Sequence, residues 1–181
     1  MLSKPVGIFI MTKFARLAAV AAALTLVATP ALAAPVGAVP KAKASAKIVR
    51  PLTLAAFQDL NFGTIVVGTL GAPQAVAVSQ AGVLSGCTGA LTCSGTVAAA
   101  RYNVTGTNNM LVTIAAVASN LTNTTSGGSE LLAFSPNAPA NIMLTNSGAP
   151  GNNFNVGGSI MIAPATVDGL YVGDIEVTVD Y

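Results

Sequence analysis

GLYVGDIEVTVDY, residues 169–181, decides the fold class, because its apolar and polar side chains alternate with a period of two. From Tyr171 onward the odd-numbered positions are mainly apolar, whereas the even-numbered positions include Asp174, Glu176, Thr178 and Asp180. Successive side chains of a β-strand point to opposite faces of the sheet, so this pattern predicts a strand with one face on a core and one in water. Such a strand must lie in a sheet, and its free edge must be paired or covered.

Short apolar segments separated by turn-forming residues continue this pattern through the rest of the chain. We expect further strands in residues 62–67, 74–80, 96–104, 110–117, 130–134, 142–145 and 159–163. Glycine, proline, asparagine and serine fill the gaps between them, as in residues 106–109, 126–129, 136–139 and 147–153. Many short strands at this spacing predict an all-β sandwich, with no amphipathic helix after the first 33 residues.

The first 33 residues have the composition of a secretory signal peptide. Lys13 and Arg16 precede an apolar run over residues 17–27, and Pro30 and the small-residue motif at residues 31–33 follow. The run is short for a bilayer span, although a buried or membrane-anchoring helix remains the alternative. We therefore expect residues 1–33 to be removed, residues 34–50 to form a flexible arm and residues 51–181 to form the sandwich domain. Met11 is a second candidate for the start of translation.

The charges of the remaining chain separate into a basic arm and an acidic body. The arm contains Lys41, Lys43, Lys47 and Arg50. From Pro51 onward Arg101 is the only cation, against six carboxylates at Asp59, Glu130, Asp168, Asp174, Glu176 and Asp180. A nucleic-acid-binding protein needs a basic face, which the body lacks, so we expect no nucleic-acid partner.

Two cysteines, Cys87 and Cys93, are the only ones in the chain. In an exported protein an even, closely spaced pair predicts a disulfide. A redox or metal-binding pair is the alternative, although the chain has no histidine and the spacing is not that of a redox motif.

Residue types that support catalysis are scarce. Without histidine the usual nucleophile and base pairs cannot be assembled, and we expect no catalytic residue, metal ligand or cofactor. Asp174 and Glu176 resemble the paired carboxylates of a glycosidase, but on an alternating strand a solvated face is the simpler interpretation. We therefore expect that the protein is not an enzyme.

The arm contains a second alternating segment. Residues 34–45 have the Ala, Pro and Lys composition of a mobile linker, whereas Ala44, Ala46 and Ile48 alternate with Ser45, Lys47 and Val49. Proline is tolerated at the edge or start of a strand but not inside a central ladder, so Pro51 predicts two strand segments, one on each side of it.

Three motifs resemble an exported bacterial family, domain of unknown function 4402. They are LNFGTI at residues 60–65, VGGSIMI at residues 156–162 and the GxYxGxxxVxVxY pattern of residues 169–181. The LxFG element and the alternating final strand are also similar to the spore coat U-like pilins of archaic chaperone-usher systems. The resemblance covers about residues 44–181. Those pilins usually carry a cysteine after the first strand, whereas this chain has Pro51 and Leu52 there, so their disulfide does not carry over.

The resemblance implies an immunoglobulin-like, pilin-type sandwich that lacks its last strand. In such subunits a periplasmic chaperone, and then the arm of the next subunit, fills the groove beside the final strand. The implied donor-strand residues are Ala44, Ala46 and Ile48, or Val49 if the register slips by one residue. The implied acceptor edge consists of Tyr171, Ile175, Val177, Val179 and Tyr181.

The implied function is that of a structural subunit of a surface fibre, with a role in adhesion or biofilm formation. Its partners would be identical or related subunits in head-to-tail contact, a periplasmic chaperone and an outer-membrane usher. The chain would pass through the inner membrane to the periplasm and reach the cell surface. The alternatives are a secreted matrix protein and a carbohydrate-binding sandwich.

Overall fold

The computed structural model describes residues 34–125 and 128–181, so the predicted signal peptide lies outside the described residues. The chain divides into two units between Ala46 and Lys47. In the first unit, residues 34–46 contain no helix or strand, and each of them is exposed. The second unit, Lys47–Tyr181, contains all the regular structure that follows.

Thirteen strands and no helix make up the described part of the second unit, so the predicted all-β class is confirmed. Within residues 34–125 and 128–181 no helix is long and apolar enough to cross a membrane. The strands are β1 (Thr53–Gln58), β2 (Thr64–Val67), β3 (Gln74–Val78), β4 (Leu84–Ser85), β5 (Leu91–Ser94), β6 (Ala100–Thr105), β7 (Leu111–Ala116), β8 (Ser119–Asn123), β9 (Leu131–Asn137), β10 (Asn141–Met143), β11 (Asn152–Ile162), β12 (Tyr171–Val172) and β13 (Val177–Asp180).

All strand pairs are antiparallel, and the larger sheet has the order β1-β6-β11-β9-β8-β12. Strand β3 also pairs with β11, and β4 pairs with β3. The long strand β11 is its centre: the first half pairs with β6, and the second half pairs with both β3 and β9. A second sheet has the order β10-β7-β13, and β2 pairs with β5. In the larger sheet β1 is an edge strand, and in the second sheet β13 is one.

A first core cluster packs between the two main sheets. The larger sheet contributes Tyr102, Val104 and Phe154, and the second sheet contributes Val112 and Ile114. The Tyr102 and Phe154 rings stack with centroids 5.5 Å apart. Side chains that alternate in and out along facing strands are what hold a β-sandwich together, so this arrangement is consistent with the predicted sandwich.

A second core cluster lies towards the other end of the larger sheet and includes Val76, Leu132, Phe134 and Ile160. Two half-buried side chains, Leu60 and Ile175, pack against both clusters. Ile175 therefore connects the two parts of the core.

The single strand predicted for the carboxyl-terminal segment is wrong. Residues 171–172 form β12, which pairs with β8, and residues 177–180 form β13, which pairs with β7. The strand predicted before Pro51 is also absent, because residues 44–50 have no regular structure.

Other boundaries also differ from the expected ones. The strand expected at residues 96–104 begins only at Ala100, whereas β11 begins at Asn152, inside an expected turn. Strand β8 was not predicted at all.

Candidate strand-acceptor groove

The final strand has one paired edge and one free edge. On one side β13 pairs with β7, with Val177 opposite Ala116 and Val179 opposite Ile114. No strand in residues 34–125 or 128–181 pairs with its other side. The Glu176 carbonyl accepts a hydrogen bond from the Val117 amide on the β7 side, at 3.1 Å. Because backbone groups of successive residues point to opposite edges of a strand, the amides and carbonyls of residues 175, 177 and 179 face the free edge.

The side chains of this segment separate into two faces, as the sequence alternation predicts. Ile175, Val177 and Val179 are half-buried and pack against the first core cluster. Glu176, Thr178 and Asp180 are exposed on the other face. The three half-buried side chains, which we call the apolar row, cover the core only in part. They remain partly exposed on the side of the free edge.

A second free edge faces the same core cluster. Among the residues that the structure describes, β1 pairs with β6 and with no other strand. Leu54 of β1 and Leu52, which directly precedes the strand, are half-buried and pack against the cluster that contacts Val177 and Val179. The start of β1 lies near Tyr181, and the segment after β1 lies near Ile175. Strands β1 and β13 therefore run in opposite directions, and no described strand pairs with both of them. We call their two free edges, with the core cluster on which both pack, the acceptor groove.

The Tyr181 hydroxyl closes one end of the acceptor groove. It accepts a hydrogen bond from the Thr107 amide and donates one to the Arg50 carbonyl, each at 2.7 Å. The Arg50 amide in turn donates to the Thr107 hydroxyl at 2.6 Å. Gly106 makes this contact possible, because a Cβ there would lie 2.5 Å from the Tyr181 oxygen and 2.7 Å from Leu52. The chain thus enters the domain, at Arg50, beside the end of its last strand.

The other end of the acceptor groove opens into a cavity of about 580 Å³. Its lining includes Leu60 and Phe62 after β1, Tyr171 and Ile175 from the final segment, and Tyr102 at the base. The Tyr102 hydroxyl donates to the Ile175 carbonyl at 3.4 Å. Burial, with a smaller contribution from the negative charge of Asp59, raises the pKa of Tyr102 above its ordinary value, so the hydroxyl stays protonated as a donor.

A buried amide holds the segment that leads into β12 and β13. Asn123 is 2% exposed; its Nδ2 donates to the Asp168 carbonyl at 3.0 Å, and its Oδ1 accepts from the Thr125 amide at 2.9 Å. Gly169, at φ 148°, passes directly over this amide, where a Cβ would collide with the Asn123 side chain. These contacts of Asn123, which we call the Asn123 clamp, therefore fix the segment from which the chain crosses from the larger sheet to the second sheet.

The structure brings most of the predicted acceptor residues together, with one exception. Ile175, Val177, Val179 and Tyr181 follow one another along the free edge and its closed end. Tyr171 lies instead on β12, opposite Asn123, and forms a wall of the cavity. The predicted acceptor edge is therefore shorter than expected, because β12 is paired with β8.

The predicted donor residues Ala44, Ala46 and Ile48 are all exposed, and Ile48 is 90% exposed. An apolar side chain exposed to this extent packs against almost nothing in the described part of the chain. The predicted disulfide between Cys87 and Cys93 is confirmed.

Sequence reasoning did not identify the second wall of the groove or its closed end. Pro51 predicts a strand segment after it, which is β1, but the packing of Leu52 and Leu54 on the same core cluster as β13 is a long-range contact with no local signal. The Tyr181 hydroxyl bonds also join residues 131 positions apart. Within the described residues no group of three or more histidine, cysteine or carboxylate side chains is placed to hold a metal ion.

Comparison with known proteins identifies one family. The model of the family described as Domain of unknown function (DUF4402) matches residues 52–181, which run from Leu52, just before β1, to Tyr181. No curated protein and no solved structure matches the chain.

Proposed function

The chain belongs to the DUF4402 family, whose description assigns no activity, and we propose from the groove that it is a structural subunit of a surface fibre. In this proposal the subunits are joined by donor-strand complementation, in which the arm of one copy fills the acceptor groove of the next. The observation that carries the proposal is the pair of free edges, β1 and β13, on either side of a half-covered core.

An incoming strand would satisfy both needs of the acceptor groove at once. Its backbone would pair with the amides of residues 175, 177 and 179 and with the carbonyls of residues 177 and 179, whereas the Ile175 carbonyl already accepts from the Tyr102 hydroxyl. Its side chains would cover the apolar row. The side chains to be covered are the three of the apolar row together with Leu52 and Leu54. Full burial of a Val, Leu or Ile side chain contributes about 1.5–3 kcal/mol, so covering the exposed half of these five contributes roughly 5 kcal/mol. The cost of ordering the arm offsets part of this gain.

The positions of the two groove ends favour a fibre over a closed oligomer. The arm leaves the domain at Arg50, beside the closed end, whereas the cavity opens the groove at the other end of β1. An arm that leaves one end and a groove that opens at the other give a head-to-tail contact. Contacts of this kind extend into filaments when the rotation between copies does not close.

The arm has the properties that a donor strand needs. Residues 34–50 are exposed throughout, and Ala44, Ala46 and Ile48 present their apolar side chains on alternate positions. The arm has four cations and the body has an excess of carboxylates, and these opposite charges favour association between copies and make its rate sensitive to salt.

We propose the partners and the location from the resemblance of the sequence motifs to spore coat U-like pilins. We propose that a periplasmic chaperone protects the groove before assembly and that an outer-membrane usher exports the fibre to the cell surface. The Cys87–Cys93 disulfide supports export, since disulfides persist in oxidising compartments.

Deleting residues 34–46 tests the proposal. This deletion removes Ala44 and Ala46 but keeps Arg50 and its bonds with Thr107 and Tyr181, so the domain itself should fold. In cells that produce fibres of the full chain, we expect none from the deleted chain by electron microscopy. A synthetic peptide of residues 41–50 should bind the deleted chain.

Two matched variants sharpen the test. Ala46→Asp places a charge on the apolar side of the donor segment and should prevent assembly, whereas Ser45→Asp lies on its polar side and should be tolerated. Fibres from the deleted chain would contradict donor-strand complementation and favour a secreted matrix protein. A full chain that stays monomeric in the presence of its assembly proteins would favour the carbohydrate-binding sandwich.

A further inference from the structure

The charges of the arm and of residues 176–180, which we call the acceptor segment, share one spacing. Lys43 and Lys47 lie four residues apart on the polar side of the donor segment, and Glu176 and Asp180 lie four residues apart on the exposed face of the acceptor segment. We infer that the arm of a second copy of this chain binds beside β13 in one antiparallel register, with Lys43 opposite Asp180 and Lys47 opposite Glu176. The inference rests on the proposed function and adds the identity of the partner and the pairing.

The apolar side chains fall into place in the same register. Its inward pairs are Ala44 with Val179, Ala46 with Val177 and Ile48 with Ile175, and Ser45 lies opposite Thr178. Ile48 is the largest apolar side chain of the donor segment, and it would arrive beside Ile175, which lines the cavity of about 580 Å³. The two alanines would lie towards the end that Tyr181 closes over Gly106.

The backbone geometry of β13 places the charged pairs where side chains are closest. Residues 175, 177 and 179 turn their amides and carbonyls to the free edge, so their partners form the hydrogen-bonded pairs. Glu176, Thr178 and Asp180 then lie at the non-hydrogen-bonded positions, where opposed Cα atoms are about 4.5 Å apart. Opposite charges at such positions stabilise a sheet, and like charges destabilise it.

A slip of one residue would use Val49 in place of Ile48. That register turns Lys43 and Lys47 towards the apolar row, because every side chain changes face. Burying two unpaired ammonium groups against the first core cluster is strongly unfavourable. The charges of the arm therefore exclude the slipped register.

A shift of two residues keeps the faces but fits the groove less well. It pairs Lys47 with Asp174, yet it leaves Lys43 opposite Thr178 and moves Ile48 to Gly173, beyond the apolar row. The glycine offers no side chain for Ile48 to pack against.

A parallel arrangement can also match two charges, Lys43 with Glu176 and Lys47 with Asp180. It would place Ile48 at Tyr181, the closed end, and leave the cavity without a large side chain. The root of the arriving arm would also meet the acceptor's own Arg50, from which the acceptor's arm leaves. Only the antiparallel register satisfies the charges, the cavity and the exit of the chain together.

Cysteine pairs in the full chain test the register. Chains that carry both Lys47→Cys and Glu176→Cys should form a ladder of covalent oligomers on a non-reducing gel, since opposed side chains lie within reach of a disulfide. Pairing Lys47→Cys with Asp180→Cys reports the parallel arrangement, and pairing it with Asp174→Cys reports the shifted register. We expect both control ladders to be at least about tenfold weaker, because their Cβ atoms would be several ångströms farther apart.

A charge exchange provides a second readout that needs no crosslink. Lys47→Glu alone should slow fibre elongation about tenfold at low salt, Glu176→Lys in the same chain should restore it, and Asp180→Lys in its place should not. If fibres form but a control pair gives the strong ladder, or Asp180→Lys restores elongation, the register is wrong and the proposed function still holds. If the wild-type chain itself forms no fibres, the proposed function and the register both fail.

Discussion

A charge on the apolar row of β13 should destabilise the chain, whereas the same charge one residue later should not. The perturbation is Val177→Asp, with Thr178→Asp as its matched control. Val177 is half-buried against the first core cluster, and Thr178 is exposed on the opposite face of the same strand. The two variants add the same carboxylate to neighbouring positions, so any difference between them reports the face.

The expected size of the effect follows from the partial burial of Val177. Losing the buried half of a valine side chain removes about 1 kcal/mol, since full burial contributes about 1.5–3 kcal/mol. Placing a carboxylate against apolar neighbours adds about 1–3 kcal/mol, and the free edge of β13 limits this penalty by admitting water. We therefore expect Val177→Asp to lower the free energy of unfolding by about 2–4 kcal/mol, a large part of the 5–15 kcal/mol typical of a domain.

The control should behave almost as the wild type. Surface substitutions away from special features usually change stability by less than about 0.5 kcal/mol. In the proposed register Thr178 also lies opposite Ser45, between Lys43 and Lys47, so an added carboxylate there should not hinder assembly.

Urea unfolding followed by circular dichroism measures the first effect, and electron microscopy of fibres measures the second. Val177→Asp should shift the unfolding midpoint to lower urea and abolish fibres, and Thr178→Asp should do neither. Equal midpoints for the two variants would refute the assignment of faces. Fibres formed equally well by both would refute the acceptor role of this edge even if the stability difference is found.

Three further predictions concern side chains outside the apolar row. Replacing Cys87 and Cys93 by serine should lower the free energy of unfolding by about 2 kcal/mol, measured by urea unfolding, because the disulfide closes a short loop in the unfolded chain. Asn123→Ala should lower the free energy of unfolding by about 1–3 kcal/mol, because the Asp168 carbonyl and the Thr125 amide lose their partner. Asn120→Ala, at an exposed position, should change it little. Equal melting temperatures for the two variants would contradict the structural role of Asn123. The pKa of Tyr102 is raised in the folded state. Its contribution to the free energy of unfolding is therefore complete below the unfolded pKa of about 10 and is lost as the pH rises through the folded pKa. Urea unfolding at several pH values should show this loss for the wild type and not for Tyr102→Phe.

The all-β class and the two faces of the final strand could be predicted from sequence, because alternation is a local property of a strand. The break between β12 and β13 could not, since the alternation continues unchanged through residues 173–176. The break arises because Asn123 clamps the preceding segment to β8, so that β12 pairs there before the chain crosses to β7. Pairing partners of this kind are distant in sequence and leave no periodic signal.

The beginning of β11 illustrates a different difficulty. Asn152, Asn153 and Asn155 have the composition of a turn, and sequence reasoning placed residues 147–153 in one. In the structure these side chains bond to neighbouring segments: Asn153 Oδ1 accepts from Asn103 at 2.6 Å, and Asn155 Nδ2 donates to the Gln80 carbonyl at 2.8 Å. Asparagine is disfavoured in isolated strands, but these tertiary hydrogen bonds outweigh that local preference.

The hydrogen bond between the Tyr181 hydroxyl and the Arg50 carbonyl has a mechanical consequence. In a fibre of the proposed kind, tension along the axis reaches each subunit through the root of its arm, at Arg50. The bond connects that root to the end of β13, the strand that grips the arriving arm of the neighbouring copy. Force can then pass from one arm to the next along adjacent antiparallel strands, where the ladder hydrogen bonds are sheared together and not peeled apart one by one. The rest of the sandwich would bear little of the load, and Tyr181→Phe should yield fibres that rupture at lower force in single-fibre pulling.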